Sequence, residues 1–261
     1  NKMTTRIDRW STRVAAIGLV CGSLLGSTQG VQAGDVVAVD ASVDAVTHYV
    51  WRGQLLTDDP VVQPSLTLSA YGFSVNLWGS IDLTDVNEGD GESIHFQELD
   101  TTLSYGFTPV EGLDLEGGFI WYSLSGFDNT SEVYASATLS CVPLSPSIAA
   151  YYDVDEVEGW YVNASVEHGF ELTEKLGLTL GAALGWGDGA YHEAYFGPVA
   201  SSSLSDLLLS ASLDYALTDA VSLSLYTGYS TIIDSDLERG ADATYGESDI
   251  LFGGVSIGVS F

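Results

Sequence analysis

Along most of this chain apolar and polar residues alternate one by one. In 36–53, VVAVDASVDAVTHYVWRG, one parity holds Val37, Val39, Ala41, Val43, Ala45, Tyr49 and Trp51, and the other holds Asp40, Ser42, Asp44, His48 and Arg52. A period of two places these sets on opposite faces of an extended strand, so 36–53 is predicted as one long strand with charge on one face only. The same alternation predicts strands at 61–71, 73–83, 94–105, 113–124, 132–141, 147–155, 160–169, 176–186, 204–217, 221–231 and 250–261, twelve in all. Their connections alternate too. YG at 71–72 and the segments 106–112, 142–146, 170–175 and 218–220 are short, whereas 84–93, 187–203 and 232–249 are long and acidic; 155–159 is short where a long loop is expected. An even number of strands with short turns on one side and long loops on the other predicts an all-β fold, an antiparallel up-and-down transmembrane β-barrel.

The aromatic residues sharpen that expectation. On the apolar parity Tyr49, Trp51, Trp121, Trp160, Trp186 and Tyr229 fall near one end of their strands, and Tyr71, Phe73, Tyr105, Tyr215 and Phe261 near the other. Two girdles bracketing an apolar band are what a bilayer selects. Hydrophobic residues make up 46% of the chain, yet past residue 33 no run approaches the ~20 continuous apolar residues of a spanning helix. A soluble β-sandwich would alternate as well, but it has no use for two girdles.

Both ends of the sequence agree with export. Lys2, Arg6, Arg9 and Arg13 precede the apolar run VAAIGLVCGSLLG and the small-residue site ending Val31-Gln32-Ala33, so 1–33 is expected to be a secretory signal peptide and 34–261 the barrel. The residues before Cys21, GLV, depart from a lipobox, and Cys141, alone in 34–261, can form no disulfide within it. The last stretch, LFGGVSIGVSF (251–261), alternates and closes on an aromatic. It resembles the signal that barrel-assembly machinery reads on bacterial outer-membrane proteins. The resemblance gives Val255, Ile257, Val259 and Phe261 as the assembly signal, and the asymmetry of short turns and long loops predicts both termini on the periplasmic side.

Charge then narrows the function. Residues 34–261 hold Arg52, Lys175 and Arg239 against 35 carboxylates (the chain's 36 less Asp8), a balance that excludes nucleic-acid binding. The polar parity carries Asp40, Asp44, Asp82, Glu98, Asp100, Asp114, Glu116, Glu132, Asp153, Glu167, Asp206 and Asp214, with Arg52 as its one permanent cation and Trp78 as an inward aromatic. So many carboxylates without cationic partners predict a lumen that contains water, and rings of Asp and Glu favour cations over anions. Arg52 is expected to bridge to a neighbouring acid, and Trp78 to fill space.

The stretch HYVWRGQLLTDDPVVQPSLTLSAYGFSVNLWGSIDLTD (48–85) resembles the first three strands of the TorF-type porins. The resemblance rests on Tyr49, Trp51, Arg52, Gly53, Pro60, Gln63, Gly72, Phe73, Trp78 and Gly79, and QELDTTLSYGFT (97–108) and SEVYASATLS (131–140) are similar to later strands of that family. Thr47-His48 stands where the family pattern has Ser-Asp. The resemblance implies an outer-membrane barrel of channel function and no particular substrate.

Other chemistry finds little footing. Ser93 and His95 would share a face near Asn87, but outer-membrane phospholipases carry His before Ser, so the order is wrong for a nucleophile and its base. His48, His168 and His192 lack ligand spacing. The acidic segments DVNEGDGES (85–93) and DSDLERGAD (234–242) miss the EF-hand register, leaving only loose divalent binding toward lipopolysaccharide. The predicted function is therefore a small passive, cation-preferring diffusion channel without cofactor, in contact with outer-membrane lipid, lipopolysaccharide, the assembly machinery and small solutes or cations. A non-conducting structural or surface-interaction barrel is the alternative, and an outer-membrane lipid hydrolase a remote one.

Overall fold

The computed structural model describes residues 37–84, 94–199 and 201–261, with the side chain of His95 left out. The expected signal peptide, the acidic segment 85–93, Ser93 and Asn87 lie outside the described residues. Twelve antiparallel strands close into a barrel: β1 (Ala38–Val46), β4 (Val61–Ala70), β5 (Phe73–Asp82), β6 (His95–Val110), β7 (Leu113–Leu124), β8 (Thr130–Leu139), β9 (Ser147–Asp153), β10 (Trp160–Glu171), β11 (Leu176–Gly187), β12 (Ser203–Ala216), β13 (Val221–Ile232) and β14 (Asp249–Ser260). Each strand pairs with its successor, and β1 seals the ring by pairing with both β4 and β14, with Asp40 opposite Ser260 and Val46 opposite Gly254. Closure leaves no strand edge unpaired, which a wall in hydrocarbon requires. The segments 71–72, 111–112, 140–146, 172–175 and 217–220 make turns at one rim, the turn end; the start of β1 and the end of β14 lie at that rim too.

Side chains alternate across the wall. Leu66, Leu103, Leu209, Leu225, Val255 and Ile257 are exposed on the outside, whereas Gln63, Thr102, Ser212, Ser224 and Ser256 are buried on the inside. Trp121 and Trp160 are 53% and 45% exposed near the loop end, and Tyr71, Phe73, Tyr105 and Tyr215 are exposed near the turn end. An apolar outer face between aromatic rims is the arrangement of a barrel solvated by lipid.

The first expected strand departs from the prediction. It stops at Val46, and the chain turns inward to make a two-stranded hairpin, β2 (Tyr49–Trp51) with β3 (Gln54–Thr57), before β4 begins. Tyr49 and Trp51, expected in the outer girdle, are only 3% and 9% exposed and lie inside the barrel. The cause is local. Val46 and Val50 are also buried, so the chain from the end of β1 through β2 carries apolar side chains on both faces and packs them inside the barrel. Its reversal uses Arg52 and Gly53, at φ 47° and 83°, as the two residues between the paired Trp51 and Gln54. Two successive positive φ values match the twist of tight hairpins, and Gly at the second carries no strain. A Cβ on Gly53 would also lie 2.5 Å from Ile232 Cδ1 and 2.8 Å from Asp206 Cβ.

Two loop-end connections hold helices that the alternation did not announce: α1 (Gly189–Phe196) and α2 (Ser235–Tyr245). Asp188 caps the first by accepting from the Tyr191 amide, and Asp234 caps the second by accepting from the amides of Asp236 and Leu237. Asp234 is held below the usual carboxylate range by those amides, led by that of Asp236. The acidic segment 234–242 is thus helix rather than an open chelating loop, and Asp236 pairs with Arg239 on its surface.

Candidate functional site

The site is the lumen at the loop end, where the hairpin meets the opposite wall. In the ring of strands β9 and β10 stand diametrically across from β1 and β4, and the hairpin tip spans that distance. Arg52 Nη1 and Nη2 donate to Glu132 Oε1 and Oε2 at 2.8 and 2.7 Å, a bidentate pair with both side chains buried. Glu132 Oε2 also accepts from the Tyr122 hydroxyl at 2.8 Å. The guanidinium carbon lies 4.4, 4.5 and 4.3 Å from the ring centres of Trp51, Tyr151 and Tyr161, and 5.9 Å from that of Tyr191 on α1. Burial alone would push this guanidinium down, but the facing Glu132 carboxylate more than offsets it and holds Arg52 above its ordinary range.

Further contacts seat the rest of the hairpin. The Tyr49 hydroxyl donates to Glu98 at 2.9 Å, and the Tyr49 ring packs on Trp78, 5.5 Å between centres. The Thr57 hydroxyl donates to Gln97, whose amide donates to Asp82. Gln54 donates to the Tyr191 hydroxyl and accepts from Tyr245 on α2, so both loop-end helices close over the tip. On α1, His192 is buried and its Nδ1 lies 2.6 Å from the Ser201 carbonyl; burial pushes this imidazole below its ordinary value. A gap beside the tip, bordered by Val50, Arg52, Gly53, Tyr161, Asn163 and Asp206 among others, measures about 20 Å³, space for about one water molecule.

The acidic residues read from the sequence all lie on inward positions and divide into two levels. Toward the loop end Asp44, Asp82, Glu98, Asp100, Glu132, Asp153 and Asp206 are buried around the hairpin. Asp153 accepts from Thr130 and from the Asp155 and Val157 amides, and Asp206 accepts from Tyr161 and Ser205. Toward the turn end Asp40 and Glu167 are exposed and Asp114 and Glu116 half-buried, while Asp214 is covered by Ser212 and Ser224. Arg52 is brought to this site by the hairpin and not by the long wall strand that the alternation over 36–53 predicts. Trp78 supports the hairpin from β5. Val255, Ile257 and Phe261 are exposed on the outside and Val259 is half-buried there; His168 packs on Phe170 on that same outer face. Among the described residues, no group of three or more His, Cys, Asp or Glu is arranged to hold a metal ion.

Residues missed by the sequence reading are the aromatic partners: Tyr122, Tyr134, Tyr151 and Tyr161 on the wall, and Tyr191, Tyr195 and Tyr245 on the helices. A signal was present. Ile120 and the four wall tyrosines occupy the same parity as Glu116, Glu132 and Asp153, and apolar rings facing a purely water-filled lumen have no partner unless something packs on them.

No family model and no curated protein matches this sequence. Solved structures do. The KdgM porin aligns with 86% of this chain and 99% of its own, at 13% identity and a TM-score of 0.50. An outer membrane channel from Pseudomonas putida F1 aligns with 87% of this chain and 96% of its own, at 10% identity and a TM-score of 0.55. The fold is that of bacterial outer-membrane porins. At these identities the likeness concerns the barrel and leaves the inserted hairpin and its contacts to be read on their own terms.

Proposed function

We propose that this chain is a passive diffusion channel of the outer membrane, of the TorF porin type, with a cation-preferring lumen that the β2–β3 hairpin narrows at the loop end. The observation that carries the reading is the imbalance on the inward face: carboxylates at every height of the barrel, and one inward arginine already neutralised by Glu132. In this reading the turn end faces the periplasm and the loop end the exterior. Lipid and lipopolysaccharide surround the wall, the assembly machinery inserts it, and small solutes or cations, with loosely held divalent ions at the acidic loops, are its other partners. At 0.1 M salt the Debye length is about 10 Å, so charges on a twelve-stranded wall act across much of the lumen.

One observation favours a second reading, a non-conducting barrel: the hairpin packs across the loop-end lumen, and the gap bordering its tip measures about 20 Å³. Planar-bilayer recording separates the two. The expected result is small conductance steps for the native chain, larger steps when residues 48–59 are replaced by a short Gly-Ser link, and a cation-selective reversal potential in a potassium chloride gradient for both. No steps from either protein would establish the non-conducting barrel, and an anion-selective sign would overturn the charge argument.

A further inference from the structure

Arg52 occupies something more elaborate than a plug needs. Its planar head sits between the rings of Trp51, Tyr151 and Tyr161 and against a carboxylate presented edge-on to both Nη atoms. Apart from Trp51 these groups are not part of the hairpin. Glu132 comes from β8, Tyr122 from β7, Tyr151 from β9, Tyr161 from β10 and Tyr191 from α1, so the receptacle belongs to the barrel and its occupant to the hairpin. A ring of apolar contacts would hold a plug equally well without burying an ion pair, whose desolvation opposes the attraction it gains. The occupant is also set in a backbone conformation that side chains other than Gly rarely adopt, at φ 47°. Furthermore, Arg52 Nε and Asn163 Oδ1 are buried without a hydrogen-bond partner among the described residues, and both residues border the gap beside the tip. An unpartnered donor, an unpartnered acceptor and space for about one water therefore border the same gap.

We propose that Arg52 is an internal stand-in for a guanidinium-bearing solute, and that Glu132, Tyr122, Tyr151 and Tyr161 form the solute site of the channel. The inference rests on the channel reading and names its solute class. A free guanidinium compound takes Glu132 as a two-pronged partner, lies against the wall rings of Tyr151 and Tyr161 as Arg52 does, and competes with the hairpin that Arg52 tethers. A compact ammonium ion gains the ring faces but not the coplanar double hydrogen bond, so the site selects planar heads over primary amines. The exposed acids toward the turn end, Asp40 and Glu167, supply an attractive field below the site.

The test is binding to the purified, detergent-folded barrel, read by tryptophan fluorescence, because Trp51 lines the site and no conduction is needed. Methylguanidinium is titrated against Arg52→Ala, with methylammonium at equal ionic strength as the comparison. The expected outcome is saturable binding of methylguanidinium to Arg52→Ala, roughly tenfold tighter than to the native chain, to Arg52→Ala/Glu132→Gln, or than methylammonium to the same variant. Equal responses of Arg52→Ala and Arg52→Ala/Glu132→Gln, or no preference over methylammonium, would overturn the assignment. Should Arg52→Ala lose its heat-modifiable folded form, the variant with residues 48–59 replaced carries the same comparison, with and without Glu132→Gln, by calorimetry. A barrel that conducts cations but fails this test refutes the solute site alone; one that binds methylguanidinium but never conducts refutes the channel reading alone.

Discussion

At the scale of single residues the loop-end lumen is held by a few exact pairings. Glu132 is the most exposed to test, since its loss leaves the Arg52 guanidinium buried without its counter-charge. Glu132→Ala is expected to destabilise the folded barrel by about 3–5 kcal/mol, measured as a lowered urea midpoint of the heat-modifiable band, whereas Asp40→Ala at the exposed rim changes it little. Gly53→Ala combines a side chain at φ 83° with contacts under 3 Å to Ile232 and Asp206. It should cost the hairpin roughly 1–3 kcal/mol and increase protease cleavage within 47–60 while the barrel stays folded. His192 supplies a pH dependence. Burial lowers its folded value, so below its ordinary value of about 6.5 the unfolded loop takes up the proton first and stability is lost as pH falls. Proteolysis of the 188–202 loop should therefore accelerate on acidification, and His192→Gln, which takes up no proton, should remove that acceleration.

At the scale of elements, the hairpin and the two helices behave as one cap on an otherwise independent wall. The barrel's ladder runs from β1 directly to β4 and β14 and does not include β2 or β3. Its connections at the turn end are short, while the loop-end segments meet one another through Gln54, Tyr191, Tyr195 and Tyr245. Loosening one member should loosen the others. Asp234→Ala removes the N-cap of α2 and is worth about 1 kcal/mol to that helix. The expected outcome is faster amide exchange in α2 and, through the Tyr245–Gln54 contact, in the hairpin, with exchange in β4 to β10 unchanged. Uniform exchange across wall and cap would show that the two are a single cooperative unit.

For the whole molecule the decisive property is which face meets lipid. Leu209 points outward on β12 and its neighbour Ser210 inward. Leu209→Arg should therefore cost roughly 2–4 kcal/mol of folding in lipid, and Ser210→Arg much less, by equilibrium unfolding in bilayer vesicles. Comparable losses from both would mean that the inside and outside of the wall have been exchanged.

Alternation alone carried most of the wall into view: eleven of the barrel strands were placed within a few residues of their observed bounds, because in a barrel one face meets lipid and the other does not, and that contrast is written at every second residue. It also placed Asp100, Glu132, Asp206 and the other inward acids on their faces, since parity fixes direction. Parity says nothing about depth or about what fills the lumen. Tyr49, Trp51 and Arg52 continue the pattern of β1 and yet leave the wall, and the tyrosines that receive them are scattered over β7, β9, β10 and α1. The helices over 189–196 and 235–245 are short and draw on the packed cap for their stability. Local sequence determined the wall through a repeating choice between lipid and lumen; only the tertiary structure decided the cap, because its contacts join segments up to 191 residues apart, whose meeting depends on the closed ring.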